Sequence, residues 1–497
     1  MGLERPCQSG RIPRPRIRLE TENRAMRPPY DETEELSGTE SDWEIALLRF
    51  KKSWPLTYRI AGLIVSLWLR LLHPVATFRW LRQILSSQLA RRHEGRLTVG
   101  VDIASLWEPL TGVGWYLFRL LENLADNDEV RLRLYGPSIV DSSDLPDPVV
   151  TLPTGPAIER VLLPVPDDLL LPPGLMSKIL RKAEPLLIAA DKNDVLFGPN
   201  FFLPRRFSVA GGARVVTVHD LTLRQVPWTM RSETLSELGA KLEHACFEAA
   251  RLITDARAVR DELVAYGYAR PERIRAIHLG PGQVADIEPS APPAGAPGNY
   301  GLHVGTLEPR KNIVALLGAW RLVRRQLAEP PALVLCGRFG WKSREIQREV
   351  RLAVREGWLH HLGYVTEGEL ATLYREAALV VLPSLYEGFG LPAVEALFAD
   401  TPLVCSDIDV LREVAADAAL YAPPDRPDLL AERVIELVTN PALAKSLVQR
   451  GGERRRHFSW QQTGAQTLEV WIEAAGMGLE RQPGEVFAEP VSEGERI

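Results

Sequence analysis

In "PSLYEGFGLPAVEAL", residues 383–397, two carboxylates, Glu387 and Glu395, stand eight positions apart around two glycines and a proline. The apolar run "ALVVLP" before them reads as a buried strand. From Leu391 a helix is expected, with Pro392 suited to a first turn whose N–H groups lack partners. The amides of Phe389, Gly390 and Leu391 would then point out of a helix N-terminus, and the glycine lets an anion of diphosphate size approach closely. A carboxylate in a first helical turn is favoured by the helix dipole by about 0.3–1 kcal/mol, which gives Glu395 a structural reason to be there. Glu387 precedes any helical turn and has no such reason, so it is the stronger candidate for chemistry. His219 and Asp220, in "VTVHD", fall at the carboxyl end of a second apolar run, where parallel sheets bind their ligands. The imidazole is expected at that cleft, with Asp220 placed to orient it. Gly112 and Gly114, in "TGVGWYLF", open a helix; close backbone approach would explain them, and so would an ordinary tight turn.

Parallel sheet is what these turns need, and the chain alternates accordingly. "RLTVGVDIASL", "VLFGPN", "ARVVTVHD" and "ARLIT" read as strands, with helices at "WYLFRLLENLA" and after "LIT". Residues 284–299, rich in Pro and Ala and without period, read as a linker. A second series follows, with strands "YGLHVGTL", "ALVLCGR", "ALVVLPS" and "PLVCSD" separated by helices. Apolar strands without two-residue alternation indicate sheets covered on both faces. The fold class is therefore α/β, with two doubly wound domains facing each other.

The totals exclude several functions. At 497 residues the chain exceeds one core, and its formal charge of −5 argues against a dedicated nucleic-acid binder. Four scattered cysteines suit neither a zinc site nor a disulfide framework, and a reducing cytoplasm is the simplest setting. Residues 1–45 read as disordered. Residues 46–94 form a basic, amphipathic helical extension: from Arg49 to Arg92 there are nine Lys or Arg and no acidic residue. Its longest uncharged run, Ile60 to Leu69, is ten residues, well short of the roughly 20 that a spanning helix needs. Such a segment can lie in the headgroup plane of an anionic membrane through residues 49–92. It would also serve as a helical pair packed on the enzyme body or on another subunit.

The 383–397 stretch resembles the paired-glutamate signature of the retaining, nucleotide-sugar-dependent GT4 (group 1) glycosyltransferases, which have the GT-B fold. The likeness extends to "VGTLEPRKN" (304–312), "CGRFGWK" (336–342), the run from "GYVTEGEL" onward, "TGVGWYLFRLLENLA" and "VTVHDLTLRQVP", in the family's order. It covers roughly residues 96–475. It implies a GT-B architecture of two facing Rossmann-like domains, with an acceptor domain at 95–285, a linker at 286–298 and a donor domain at 299–456. A crossover helix at 457–477 and a tail at 478–497 complete the chain. It also implies roles. Arg310 and Lys311 contact the donor diphosphate, and Asn312 caps the following helix. Glu387 holds hydroxyls of the transferred sugar, and Glu395 the ribose. Gly305, Thr306, Gly337, Val365, Phe389, Gly390 and Leu391 line the donor. His219 sits under the sugar, near its 6-hydroxyl or the reacting centre, and Gly112, Gly114 and Asp220 face the acceptor. No cofactor is implied beyond the nucleotide-diphosphate sugar, and no catalytic metal, because no Asp-x-Asp lies beside these motifs.

The resemblance favours the mannosyl- and rhamnosyl-transferring branch and a glycan or lipid-linked acceptor in surface polysaccharide synthesis. The expected location is the cytoplasmic face of the cell membrane, as a peripheral protein. Two other readings fit the same motifs less well: a sugar-nucleotide epimerase or phosphorylase on the same fold, and a non-catalytic scaffold of a glycan assembly complex. The chain departs from the family at Asp255 (often Ser), Thr306 (often Arg), Asp400 (usually Gly), Arg412 (often Pro) and Ala416 (often Gly). At Asp400 a left-handed backbone is expected, which Asp tolerates better than most residues.

Overall fold

The computed structural model describes residues 95–106, 112–136, 155–161, 188–189, 191–204, 207, 210–282, 285 and 287–478. The disorder expected for residues 1–45, the basic extension at 46–94 and the tail beyond Gly478 lie outside the described residues. Among the described residues no helix is long and apolar enough to cross a membrane.

Two parallel sheets organise the chain. The first comprises β1 (Leu97–Asp102), β2 (Val130–Tyr135), β3 (Ile158–Val161), β4 (Val195–Gly198), β5 (Ala213–Val218), β6 (Arg251–Thr254) and β7 (Ile274–Ala276), in the order β3-β2-β1-β4-β5-β6-β7. The second comprises β8 (Tyr300–Val304), β9 (Ala332–Cys336), β10 (Leu359–Gly363), β11 (Leu379–Leu382), β12 (Leu403–Ser406) and β13 (Ala419–Ala422), in the order β10-β9-β8-β11-β12-β13. Every ladder is parallel, and the central strands β4, β11 and β12 are buried along their whole length, as two-sided cover by helices requires. In each sheet the strand order reverses once, between β1 and β4 and between β8 and β11. A crevice opens at such a reversal, outside the carboxyl ends of the strands. The loops after β8 and β11, which carry Gly305–Lys311 and Ser384–Gly390, flank the second of these crevices.

Seven helices bear on the site: α1 (Gly112–Leu124), α2 (Arg257–Ala265), α3 (Ile313–Gln326), α4 (Glu367–Glu376), α5 (Leu391–Phe398), α6 (Asp409–Ala415) and α7 (Trp460–Gly478). α1 starts at Gly112, three residues before the expected "WYLF", and buries Tyr116, Leu117, Leu120, Leu121 and Leu124 on one stripe. α7 follows the second sheet in sequence yet packs against α1 and β5. Trp471 meets Phe197 of β4 edge-on at 5.0 Å, while Glu473 accepts from Arg251 and Arg275 of the first sheet. The linker is tied down midway, where the Ser290 amide donates to the Gly368 carbonyl and Thr372 Oγ1 donates to the Ser290 carbonyl.

The departures from the family pattern have local explanations. Asp400 has φ 55°, the left-handed backbone expected, and its carboxylate accepts from Arg455. Arg412 makes two hydrogen bonds to Asp407, at 2.6 and 2.9 Å, and stacks on Tyr421. Ala416 is held at φ 49° and ψ −118°, a region that glycine tolerates and alanine does not.

Candidate active site

The cations and one of the carboxylates of the sequence analysis meet in a single buried cluster. The segment Pro309–Lys311 forms a tight helical turn ahead of α3, and the Leu385 amide donates to the Arg310 carbonyl, fixing it beside the loop after β11. Lys311 Nζ then donates to Glu387 Oε1 at 2.6 Å, and Arg310 Nη1 donates to Glu387 Oε2 at 3.0 Å. Ser384 Oγ is the carboxylate's third donor, on Oε1 at 2.6 Å, and Glu308 holds the other edge of the Arg310 guanidinium through Nε at 3.0 Å and Nη2 at 2.9 Å. Burial alone would raise the Glu387 pKa, but the Lys311 ammonium and Arg310 guanidinium overcome it and hold the carboxyl at about 2. Glu387 is thus the counter-ion of the two cations as well as a candidate partner for sugar hydroxyls. Its replacement must cost stability, because it would leave two buried positive charges with one carboxylate between them.

The helix start next to this cluster has the expected backbone. Gly390 caps α5 with φ 92°, and the Ala393 amide donates to the Gly390 carbonyl. The amides of Phe389–Leu391 precede it, so they belong to the end of a helix that has no internal acceptors for them. Gly305 lies against Lys311, its amide donates to the Cys336 carbonyl, and the Gly337 amide donates to that of Gly363, which joins the ends of β8, β9 and β10. Thr306 packs on Gly340, and Val365 is half-buried against the apolar core. Asn312 does stand at the cap of α3, in the left-handed region, but its side chain does not cap. Nδ2 donates instead to the carbonyls of Pro383 and Pro424, tying this turn to two neighbouring loops.

Glu395 needs a correction. α5 starts at Leu391, so Glu395 is its fifth residue and lies beyond the first turn, where the dipole would have favoured it. It is buried, accepts from the Tyr374 hydroxyl at 2.5 Å, and presents Oε1 to the backbone of Gly282, where an added Cβ would come within 1.9 Å.

The expectation for Asp220 also changes. Its Oδ1 accepts from the Thr222 amide in a local turn, and the carboxylate bonded to His219 is that of Asp255. His219 Nδ1 lies 2.7 Å from Asp255 Oδ2 and Nε2 lies 2.7 Å from the Pro199 carbonyl oxygen. Asp255 attracted notice in the sequence only as a departure from serine; its distance of 36 residues from His219 hid the pairing.

The two sheets bring these parts together across the cleft. Gly388 abuts the backbone of His219, the Tyr386 hydroxyl accepts from the Leu221 amide at 2.8 Å, and the same hydroxyl donates to Glu262 Oε2 at 2.7 Å. Burial and the nearby Asp220 and Asp409 push the Glu262 carboxyl up to about 7. Trp341 and Lys342 donate to the carbonyls of Thr229 and Trp228. Glu413 of α6 receives the Arg257 and Ala258 amides at the start of α2, together with His278 Nε2 at 2.6 Å. Ser384, Glu308, Tyr386 and Glu413 were all absent from the sequence-derived site. The first three lie inside or beside the quoted motifs. Nothing local marked Glu413, whose partners are 135 to 156 residues away. At the other side, Gly112 has open space around it and Gly114 is buried.

Residues 288–454 match the family model described as glycosyl transferases group 1. The chain is 30% identical over 389 residues to the O-antigen chain mannosyltransferase B of Escherichia coli, covering 73% of this chain and 96% of that protein. Among solved structures, sucrose-phosphate synthase from Thermosynechococcus elongatus aligns with a TM-score of 0.58 at 20% identity, over 77% of this chain and 100% of that one. The HepE protein of Anabaena, in complex with UDP and glucose, aligns with a TM-score of 0.56 at 16% identity, over 76% and 100%. At those identities the structures establish a shared GT-B architecture.

Proposed function

The chain belongs to the glycosyl transferases group 1 family and is a glycosyltransferase; on that premise we propose that it moves a mannose- or rhamnose-type hexose, with retention, from a nucleotide-diphosphate sugar to a glycan or lipid-linked acceptor in surface polysaccharide synthesis. The sugar class and pathway are supported by the E. coli relative named as an O-antigen chain mannosyltransferase, which this chain matches over nearly its full length. The observation that carries the reading is the buried Arg310–Lys311–Glu387 cluster beside the N-terminus of α5.

The bond that breaks joins the anomeric carbon to the diphosphate, and the leaving oxygen gains negative charge as it does so. Arg310, Lys311 and the Phe389–Leu391 amides supply positive potential at that oxygen in a buried setting, where it is weakly screened. Glu387, released from its cations as the diphosphate takes them over, accepts from the sugar hydroxyls. Glu395 accepts from the ribose. The acceptor oxygen bonds the anomeric carbon on the face the diphosphate leaves, and its proton passes to a diphosphate oxygen. No divalent metal is assigned a role, since Arg310 and Lys311 carry the positive charge at the leaving oxygen. Residues 49–92, outside the described residues, attach the enzyme to an anionic membrane surface on the cytoplasmic side.

Purified protein assayed against a panel of nucleotide-diphosphate sugars, with and without EDTA, tests this reading. Turnover with a mannose- or rhamnose-type donor, unchanged by EDTA, is expected; inertness toward every donor together with no nucleotide binding by calorimetry would overturn it. Deleting residues 1–92 should abolish sedimentation with anionic liposomes, and undiminished sedimentation would remove the membrane assignment.

A further inference from the structure

His219 is enclosed by acceptors. Pro199 offers a carbonyl oxygen to Nε2 and Asp255 a carboxylate oxygen to Nδ1, both at 2.7 Å. A carbonyl cannot donate, so Nε2 carries a proton. Removing the proton between Nδ1 and Oδ2 would set two lone pairs against each other at hydrogen-bond distance. The ring is 8% exposed and Asp255 3% exposed, so water does not intervene to relieve either clash. Among the described residues Asp255 Oδ1 has no hydrogen-bond partner, which leaves His219 as the group that balances this carboxylate.

The other groups facing the ring fit a cation. Tyr116 of α1 meets the imidazole edge-on, with ring centroids 4.9 Å apart, and its hydroxyl is paired with Thr217. Asp220 adds negative potential from the adjoining residue, and His278 acts on Asp255 from beyond it. Burial works against both charges, lowering the His219 pKa and raising that of Asp255; at the ring Asp255, the Pro199 carbonyl and Asp220 outweigh it and raise the pKa, whereas at Asp255 burial prevails over the pull of His219.

We propose that Asp255 is a positioning residue that locks His219 as a doubly protonated imidazolium, so that His219, with both N–H groups committed to Asp255 and Pro199, acts on the donor by its charge and does not take a proton from the acceptor. The proposal rests on the glycosyltransfer reading for what His219 faces, but the protonation state stands on the local geometry alone. It also accounts for an aspartate at a position where serine would leave the ring without a counter-charge.

The test uses full-length protein with 15N-labelled histidine. Two-bond 1H–15N spectra, with His219 assigned by loss of its signals in His219→Gln, report each ring nitrogen. Both nitrogens are expected to stay protonated from pH 6 to pH 8, and in Asp255→Asn one becomes unprotonated by pH 7. In the donor assay, Asp255→Asn should lower kcat by about 10- to 100-fold, the usual range for losing a hydrogen bond to a charged partner. The residual rate should acquire a fall with rising pH near 6–7 that the parent lacks, and Asp255→Ser should behave alike. One unprotonated nitrogen in the parent at pH 7, or Asp255→Asn with the parental kcat and pH profile, would overturn the proposal. Should Asp255→Asn fail to fold, the parent spectra alone decide. A doubly protonated His219 in a protein inert toward all donors would uphold the dyad and count against glycosyltransfer.

Discussion

Replacing Gly388 by alanine probes how closely the two halves of the cleft must meet. Gly388 lies between Glu387 and the Phe389 amide, and its backbone faces His219 across the cleft. A Cβ added there would lie 2.0 Å from the His219 carbonyl oxygen and 2.9 Å from the Asp220 Cβ. Non-bonded carbon and oxygen need roughly 3 Å or more, so the two loops must separate by about 1 Å, or the core must absorb overpacking of about 1–3 kcal/mol. Gly388 is absent from the positive-φ positions, so alanine suffers no intrinsic backbone strain and the cost falls on the contact between the sheets. A displacement of about 1 Å between reacting groups costs on the order of 100-fold in rate. Steady-state release of nucleoside diphosphate should therefore show kcat/KM reduced by about 30- to 100-fold. Gly239→Ala, in a helix where nothing lies within 4 Å of the added carbon, serves as the neutral control. Gly388→Ala with kcat/KM within twofold of the parent would refute the argument that catalysis needs this close approach.

Three further outcomes follow from the same contacts. Glu387→Gln should lower the unfolding free energy by about 2–4 kcal/mol, because Lys311 loses its carboxylate and Arg310 keeps only Glu308, and saturating nucleoside diphosphate should recover more of it than it adds to the parent; an unchanged thermal midpoint would contradict this. Glu413 is pulled in two directions: burial raises its carboxyl pKa, but His278 and the Arg257 and Ala258 amides prevail and hold it at about 2, below the unfolded value. Its contribution, roughly 2 kcal/mol after screening, is present above pH 4.5 and lost as pH falls toward 2, so urea midpoints of the parent and Glu413→Gln should converge over that interval and differ at pH 6. Ala416→Gly should stabilise by about 1 kcal/mol by relieving its φ of 49° at ψ −118°, and a lower midpoint in urea would count against strain at that residue.

What could be read from the sequence divides along physical lines. Strands β8, β9 and β11 announce themselves as short apolar runs, and Gly390–Pro392 as a helix start, because propensity and burial are local properties. Arg310, Lys311 and Glu387 were legible as site residues through the family resemblance, but not as one ion cluster, since 76 residues separate Lys311 from its carboxylate. Asp255 shows the limit most plainly. The neighbour in sequence, Asp220, was the natural partner for His219, yet a one-residue step along the chain turned its carboxylate into a local turn with Thr222. The true partner follows directly on the adjacent strand β6, whose pairing with β5 the sequence does not encode at any fixed spacing.

The Glu413 contact has a consequence for how opening could be watched. α2 begins after Ala256, which has no side-chain acceptor, and its first amides are satisfied by a carboxylate carried on the other sheet's α6. Swinging the halves apart would uncap that helix and let its first turn fray. Hydrogen exchange at Arg257 and Ala258 would then run at a rate set by the fraction of molecules that are open, and a donor that favours the closed form should slow it. The start of one helix would act as a built-in gauge of the cleft.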